Sequence, residues 1–311
     1  MNVTLPPYLK AGDTIGIAAT ARWISPDALQ TAIETFHSWG LRTKLATNLH
    51  TRYFQLAGND EMRSVELQKL MDDDEVKAII MARGGYGTVR VIDKLDFTRF
   101  LEKPKWICGY SDITVLHERL NRFGVATIHS TMPISFPMAT AAAIESLRAC
   151  LFGQMKTMDW NTESVNDMLP ELKSLPMLGG NLSVLYSVLG SHNNLNQQDS
   201  ILFIEDVDEM LYHVDRMLMG LKRSEFFHRV KAIIVGGMTQ MKDNTRAHGF
   251  ADDNGWGYTA EQSVKRIADE LNIPVLTNFP AGHQDNNCAF YLGMPITMKV
   301  EKHKVVIEYL S

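Results

Sequence analysis

The first half of the chain alternates short apolar runs with amphipathic helical patterns, and this alternation is the feature that most restricts its fold. The apolar runs predict strands at residues 14–20, 41–46 and 76–82, with helices from residue 26 and over residues 60–71. Strands that alternate with helices at this spacing form a mostly parallel sheet covered on both faces. Because the ligands of such sheets bind outside the carboxyl ends of the strands, the turns that follow them are the candidate site.

A further strand over residues 106–108 turns sharply into a helix, and Ser111 lies on that turn. In this position a hydroxyl stands clear of the sheet edge, beside backbone N–H groups at the start of a helix. The Gly-x-Ser-x-Gly elbow places a nucleophile in the same way, although residue 113 is Ile here and the match is partial. Ser111 is therefore a candidate nucleophile, and the alternative is that Ser111 or Asp112 only caps the helix.

Paired glycines follow the strand at residues 76–82, within the glycine-rich segment of residues 84–87. The dinucleotide-binding pattern read from Gly85 meets Arg90 where its third glycine is required, and no Gly-Lys-Ser/Thr follows a glycine-rich turn, so we expect no nucleotide cofactor. Glycines at a strand end let backbone N–H groups approach a substrate closely, which suits an oxyanion hole. A tight turn that needs positive φ angles is the alternative.

Two carboxylates and one histidine in the second half are candidate partners for a serine. Glu205 and Asp206 directly follow an apolar strand over residues 201–204. Such acids either stabilise the start of a helix or orient a catalytic histidine. Of the ten histidines, His283 lies in a loop just after a strand at residues 275–278, although a lone loop histidine is more often a plain surface residue. No His-Glu-x-x-His or other spaced ligand set occurs, so we expect no metal.

The composition argues against several classes of partner. A net charge of -5 without a basic run predicts neither nucleic-acid nor membrane binding. The three cysteines are odd in number, widely spaced and set mostly among apolar residues, which fits a reducing compartment better than a disulfide framework or a zinc site. No secretory pattern opens the chain and no apolar run approaches membrane-spanning length, so we expect a cytoplasmic protein.

The length of 311 residues exceeds the usual size of a single core, so we expect two domains. A polar stretch without sustained periodicity separates the two halves of the chain. We place the first domain at residues 1–158, a linker at residues 159–173 and the second domain at residues 174–311. On this division the candidate serine and glycines fall in the first domain, and the candidate acid and histidine fall in the second.

Six sequence blocks, spread over nearly the whole chain, resemble those of the muramoyltetrapeptide LD-carboxypeptidases, a cytoplasmic serine peptidase family that also includes microcin-immunity hydrolases. In family order, the blocks are residues 12–16, 82–87, 109–114, 178–182, 203–206 and 282–283. The resemblance implies an α/β fold with an N-terminal flavodoxin-like parallel sheet domain and a C-terminal mixed α/β, partly barrel-like domain. It also implies an active site between the two domains.

The resemblance assigns a role to each candidate residue. It makes Ser111 the nucleophile, His283 the general base and Glu205 the orienting acid, and it places the backbone N–H groups of Gly85 and Asp112 in the oxyanion hole. The implied reaction is hydrolysis of the bond between the L-centre of the third residue and the terminal D-Ala of a murein tetrapeptide. The expected partner is thus a small muropeptide, and no cofactor is expected. A homodimer is a further hypothesis.

The chain departs from the family pattern at two places. Tyr291 stands where the family usually has Pro, and the His-Gly-Pro-Met block is replaced by residues 129–132, so these changes concern substrate contacts. One rival function is a microcin-immunity type amidase that cleaves a peptidyl-nucleotide analogue, with Trp160 or Trp256 as the surface for the base. Another is a non-catalytic muropeptide-binding module. The long polar loop at residues 241–257 either covers a site or is simply mobile.

Overall fold

The structure is a computed structural model that describes residues 3–163, 169–191 and 198–310. Strands and helices are numbered in chain order. The strands of the first 130 residues are β1 (Thr14–Ala18), β2 (Arg42–Leu45), β3 (Arg52–Tyr53), β4 (Leu56–Ala57), β5 (Val76–Met81), β6 (Trp106–Gly109) and β7 (Thr127–His129). The remaining strands are β8 (Thr157–Asn161), β9 (Leu172–Asn181), β10 (Ser200–Val207), β11 (Val230–Thr239), β12 (Val275–Leu276), β13 (Phe290–Leu292), β14 (Pro295–Glu301) and β15 (Lys304–Tyr309). The α-helices are α1 (Asp27–Ser38), α2 (Asp60–Asp72), α3 (Thr98–Glu102), α4 (Thr114–Arg122), α5 (Ala141–Leu151), α6 (Leu182–Ser187), α7 (Leu211–Arg223) and α8 (Ala260–Leu271).

The chain divides into two compact units. The first unit comprises Met1–Lys156 and Asp285–Met294, and the second comprises Thr157–Gln284 and Pro295–Ser311. Two segments lie differently from the predicted domains. Residues 285–294 belong to the first unit, and β8, whose residues are predicted in the first domain (157–158) and the linker (159–161), belongs to the second. The last two residues of the predicted linker, 172–173, open β9. In both segments a short strand pairs with a partner far away in sequence, and local composition carries no signal of such a partner.

The first unit is built on one sheet with the strand order β13-β7-β6-β5-β1-β2. The five strands from β2 to β7 in this order pair in parallel, and only the edge strand β13 pairs antiparallel, with β7. The predicted α/β class with a mostly parallel sheet is thereby confirmed. Because β5 and β6 are parallel neighbours, the glycine segment after β5 and the serine turn after β6 lie at the same edge of this sheet.

Local signals in the sequence account for several of the helix boundaries. The side chain of Asn59 accepts a hydrogen bond from the backbone of Met62 and caps α2. The apolar periodicity of residues 260–271 predicts a helix with the bounds of α8, and at its start Thr259 and Gln262 form a reciprocal capping box. The apolar residues Val89, Ile92 and Leu95 predict a short helix after the glycine segment, but the structure has two 3₁₀ turns there, since a run this short does not distinguish the two helix types.

The second unit is built on a mixed sheet with the strand order β12-β11-β10-β9-β14-β15-β8. Strands β12 to β9 pair in parallel and the other three pair antiparallel. Helices α7 and α8 cover part of this sheet through a buried cluster that includes Leu202, Ile204, Val214 and Val264. Strand β10 continues to Val207, three residues beyond its predicted end, so the acidic residues at positions 205 and 206 lie within a strand.

The cysteines and the lengths of the helices are two further features of the structure. Cys108, Cys150 and Cys288 are buried thiols that form no disulfide. In the part of the chain that the structure describes, no helix combines the length and the apolar character needed to cross a membrane.

Candidate active site

Ser111 occupies a strained turn between β6 and α4. Its φ angle is 64°, a left-handed conformation that is uncommon for a residue with a side chain. The residue opens a 3₁₀ turn, Ser111–Ile113, that leads directly into α4. The N-cap positions of the turn and of the helix are Tyr110 and Ile113, and neither side chain makes a capping hydrogen bond. Ser111 and Asp112 therefore lie within the turn and not at an N-cap position.

The partial match to the elbow motif has a packing explanation. Gly109 has a φ angle of 153°, and a Cβ atom placed on it would lie 2.9 Å from Cγ1 of Ile113. The Ile113 side chain is fully buried and occupies the space above Gly109. The turn thus keeps one glycine of the motif and fills the place of the other with a packed side chain.

The glycine segment after β5 lies against the serine. A Cβ atom on Gly84 would lie 3.2 Å from Cβ and 3.3 Å from Oγ of Ser111, closer than most real Cβ contacts. Gly85 has a φ angle of 116°, which an L side chain rarely adopts. The positive φ angle at Gly85 is that of a tight turn, and the missing side chain of Gly84 leaves room for the Ser111 hydroxyl.

The Asp112 carboxylate ties the serine turn to the glycine segment. Its Oδ2 atom accepts hydrogen bonds from the backbone N–H of Thr88 at 2.8 Å and from the Thr88 hydroxyl at 2.6 Å. Burial raises the pKa of Asp112, while the hydrogen bonds from Thr88 and Gly87 and the charge of Arg63 oppose this shift. Arg63, itself fully buried, donates to the carbonyl of Gly87 at 3.0 Å. The sequence does not predict these contacts of Thr88 and Arg63, because nothing in the local sequence links the two residues to the serine turn.

In the second unit, His283 is hydrogen-bonded to Glu205. The Nδ1 atom of His283 lies 2.6 Å from Oε2 of Glu205, and the backbone N–H of His283 donates to the same oxygen at 3.1 Å. The Glu205 side chain has no exposed surface, whereas that of His283 is 19% exposed. A Cβ atom on Gly282 would lie 2.8 Å from Cβ of Glu205, so only glycine lets the loop approach β10 this closely.

The surroundings of His283 favour its protonated form. Burial lowers the pKa of His283, but the Glu205 charge, the hydrogen bond to Glu205 and the Asp206 charge outweigh burial, so the pKa lies above its ordinary value. An ionised carboxylate only accepts hydrogen bonds, so Glu205 requires Nδ1 to carry the proton. The neutral ring therefore presents Nε2 as its basic atom.

Asp206, the neighbour of Glu205 on β10, has different partners. Its carboxylate accepts hydrogen bonds from Nδ2 of Asn181 at 2.9 Å and from the backbone N–H of Ser183 at 2.8 Å, at the start of α6. Burial raises the pKa of Asp206 to about 7, and the charge of Glu205 adds to the shift. Of the two acids, the structure thus brings Glu205 to the ring of His283 and Asp206 to the start of α6.

Several other sequence candidates have structural explanations. Trp160 is 7% exposed and donates from Nε1 to the carbonyl of Thr277 at 3.0 Å, so it belongs to a core and offers no surface for a nucleotide base. Tyr291 is fully buried, and its hydroxyl donates to the carbonyl of Cys150 at 2.7 Å. Within the described residues, no group of three or more His, Cys, Asp or Glu side chains is arranged to hold a metal ion.

The loop at residues 241–257 has hydrogen bonds of its own. The Asp243 carboxylate accepts from the backbone of Asn244 at 2.7 Å and from the backbone of Trp256 at 2.8 Å, joining the two ends of the loop. The backbone of Arg246 donates to the side chain of Asp253 at 3.0 Å. The loop is therefore internally bonded, and Trp256 is held through its backbone.

Comparison with known proteins identifies relatives over nearly the full length. A profile described as the LD-carboxypeptidase N-terminal domain matches residues 15–130, and one described as the LD-carboxypeptidase C-terminal domain matches residues 174–298. The chain is 30% identical over 312 residues to the probable murein peptide carboxypeptidase of Bacillus subtilis, covering 97% of this chain and 94% of that protein. The crystal structure of a muramoyltetrapeptide carboxypeptidase from Oxalobacter formigenes matches with a TM-score of 0.82 and 25% identity, covering 95% of this chain and 99% of that one. The microcin C7 self-immunity protein MccF in complex with aspartyl sulfamoyl adenosine matches with a TM-score of 0.83 and 23% identity, covering 99% of this chain and 100% of that one, which shows a shared fold.

Proposed function

The chain belongs to the LD-carboxypeptidase family and is a serine-type carboxypeptidase, and from this premise we propose that it releases the terminal D-Ala of murein tetrapeptides by hydrolysing an L,D-peptide bond. The observation that carries the proposal is the 2.6 Å hydrogen bond between His283 and a fully buried Glu205. In a serine hydrolase, a buried carboxylate joined in this way to a histidine orients the ring as the general base, which supports these roles for Glu205 and His283. The strained turn at Ser111 supplies a matching nucleophile.

In the proposed mechanism, Ser111 is acylated first. Its Oγ attacks the carbonyl carbon of the third residue while His283 takes the hydroxyl proton at Nε2, since Nδ1 is bonded to Glu205. His283 then gives the proton to the departing amine, the C–N bond breaks and D-Ala leaves. In the second half, His283 takes a proton from a water molecule, whose oxygen attacks the carbonyl carbon of the acyl-enzyme. The bond between that carbon and the Ser111 Oγ then breaks, Ser111 recovers the proton from His283, and the shortened peptide leaves as a carboxylic acid.

We propose the backbone N–H groups of Gly85 and Asp112 as the oxyanion hole. The support is local to the first unit, where the glycine segment lies against Ser111 and the Asp112 side chain holds that segment through Thr88. Donors fixed in this way stabilise the negative charge that develops on the carbonyl oxygen without having to reorganise.

The proposed biological role is recycling of cell-wall peptides in the cytoplasm. Murein tetrapeptide is the chemistry that the names of similar carboxypeptidases state. The three buried, unpaired thiols are compatible with a reducing compartment.

The second candidate is cleavage of a peptidyl-nucleotide analogue, and the fold shared with MccF favours it. Of the two tryptophans considered as a surface for the base, Trp160 is buried, which leaves only Trp256. The murein peptide therefore remains the first choice.

The deciding experiment is mass analysis of purified muropeptides after incubation with the protein. We expect the tetrapeptide to lose one alanine with the wild type and to remain intact with Ser111→Ala, which removes the attacking oxygen. Ser111→Ala should lower kcat by roughly 10³-fold or more. Normal turnover by a folded Ser111→Ala protein would end the triad assignment, and cleavage of a peptidyl-nucleotide but not of muropeptides would favour the second candidate. Tight muropeptide binding without turnover would favour a non-catalytic binding protein.

A further inference from the structure

Two arginines flank the glycine segment, and neither has an acidic partner among the residues that the structure describes. Arg22 follows β1, and Arg83 follows β5 directly before the paired glycines. The other charge that acts on Arg83 is the positive charge of Arg22. Positive groups placed together without a counter-charge raise the local potential and attract an anion.

Arg22 lies directly on Gly85. A Cβ atom on Gly85 would lie 2.7 Å from Nε and 2.8 Å from Cδ of Arg22, so the arginine side chain crosses the face of that glycine. The backbone of Arg22 is held in place by a bridge to Leu56, next to the hydrogen bond that Ala57 donates to Ala21 at 2.9 Å. The hairpin β3–β4 thus fixes the position from which Arg22 reaches the glycine segment.

Arg83 is half-buried and anchored by one of its N–H groups. Its Nη1 atom donates to the carbonyl of Trp23 at 3.2 Å. Burial lowers the pKa of Arg83, and the positive charge of Arg22 lowers it further. A guanidinium carries five N–H donors, so the bond to Trp23 orients the group while leaving most of its donors to other partners.

Nearby arginines of the first unit are engaged elsewhere. Arg52 stacks over the ring of Trp23 with its guanidinium carbon 3.7 Å from the ring centroid. Arg63 and Arg90 both form ion pairs with Asp60. Arg22 and Arg83 differ from these three arginines in having neither an ion pair nor a stacked ring in the part of the chain that the structure describes.

In a carboxypeptidase substrate, the terminal carboxylate lies close to the carbonyl that is attacked. When a single residue leaves, its carboxylate is separated from the attacked carbonyl by one residue, and consecutive Cα atoms are about 3.8 Å apart. A cation that binds this carboxylate must therefore lie beside the oxyanion donors. Arg22 lies against Gly85, and Gly84 lies against Ser111.

We propose that Arg22 and Arg83 bind the α-carboxylate of the terminal D-Ala and so restrict cleavage to the last residue of the peptide. This inference rests on the proposed function. A planar guanidinium matches a carboxylate with two parallel hydrogen bonds, which an ammonium group does not reproduce. A peptide that continues beyond the fourth residue, or that ends in an amide, presents no such anion.

The test compares a tetrapeptide that ends in D-Ala with the same peptide that ends in D-Ala amide. Hydrogen bonds to a charged group change affinity by a factor of roughly 10–10². We expect the wild type to prefer the acid by about this factor in kcat/KM. Arg22→Gln and Arg83→Gln should lower kcat/KM for the acid and leave the amide nearly unchanged, so the preference collapses. Arg99→Gln, which removes an exposed arginine paired with Asp74, is the matched control and should keep it.

Each of the following results would overturn the proposal. The first is a wild type that cleaves both peptides equally well, and the second is arginine variants that lose the same factor on both. The third concerns another carboxylate of the substrate. If the effect of the arginine variants disappears when the third residue is changed from diaminopimelate to lysine, the arginines bind that residue and not D-Ala.

The lysine variants Arg22→Lys and Arg83→Lys serve if a glutamine variant does not fold. They keep the charge without the planar guanidinium and should lose part of the preference for the acid, so full retention of that preference contradicts the proposal. A wild type that releases nothing from either peptide refutes the proposed function itself.

Discussion

Glu205 Oε2 receives two hydrogen bonds from His283, one from Nδ1 at 2.6 Å and one from the backbone N–H at 3.1 Å. The two bonds fix the ring and the backbone of the same residue to one buried oxygen. Rotation of the imidazole about its side-chain bonds would break the first bond without weakening the second. The carboxylate therefore sets both the position of the loop and the orientation of the base.

The first prediction separates the two adjacent acids. Glu205→Gln keeps the shape but presents an amide that can hold His283 in the wrong tautomer, so kcat/KM should fall by roughly 10²–10⁴-fold. Asp206→Asn should stay within about tenfold of the wild type, because Asp206 bonds to Asn181 and Ser183 and not to the ring. Steady-state kinetics on one tetrapeptide decide the matter. If Asp206→Asn and not Glu205→Gln is the variant that loses kcat/KM, the assignment of Glu205 as the orienting acid is wrong.

The second prediction concerns pH. A general base works only when neutral, and the pKa of His283 is raised above its ordinary value of 6.5, so kcat/KM should rise with pH through a midpoint above 6.5. Glu205→Gln removes two of the effects that raise this pKa and leaves burial, which lowers it. The residual activity of that variant should therefore have its acidic limb at lower pH. A limb at the same pH in both proteins would show that another group is titrating.

The third prediction tests the glycine segment. Gly85→Val should lower kcat by ~10²–10³-fold, the loss typical of one oxyanion donor. Its Cβ would also displace Arg22, so the measurement includes the D-Ala amide peptide, on which only the oxyanion effect should remain. Gly12→Val is the control, since Gly12 also has a positive φ angle but open space around its Cβ position. An active and stable Gly85→Val protein would remove Gly85 from the oxyanion hole.

The fourth prediction concerns the buried carboxylate of Asp112. Asparagine has one accepting oxygen and one donating nitrogen. In Asp112→Asn the nitrogen therefore faces the backbone N–H of either Thr88 or Gly87, and two donors meet without an acceptor. An unsatisfied buried donor costs about 1–3 kcal/mol, and the looser glycine segment should also lower kcat. Thermal unfolding and kinetics are measured beside Asp93→Asn, a change at a mostly exposed acid. Unchanged kcat in a destabilised Asp112→Asn protein would mean that the contact serves stability alone.

The sequence predicts those parts of the fold and site that depend on local patterns. Apolar periodicity predicts α8. The succession of a strand, a glycine and a helix after β6 predicts the sharp turn that carries Ser111. Contacts between distant residues escape such patterns. Thr88 is bonded to Asp112 although 24 residues separate them in the sequence. Gly282 is still farther from Glu205 along the chain, yet its missing side chain makes room for that residue. These contacts depend on which strands are neighbours, which no short segment records.

The packing of Ile113 over Gly109 limits which substitutions this turn tolerates. Any side chain at position 109 would collide with Ile113, and a glycine at position 113 would leave a cavity where Ile113 is now buried. Ile113 is therefore acceptable only while position 109 is glycine. The reverse does not hold, because the φ angle of 153° at Gly109 favours glycine even without the isoleucine. The two positions thus constrain one another unequally, and we expect the turn to tolerate replacement of Ile113 more readily than replacement of Gly109.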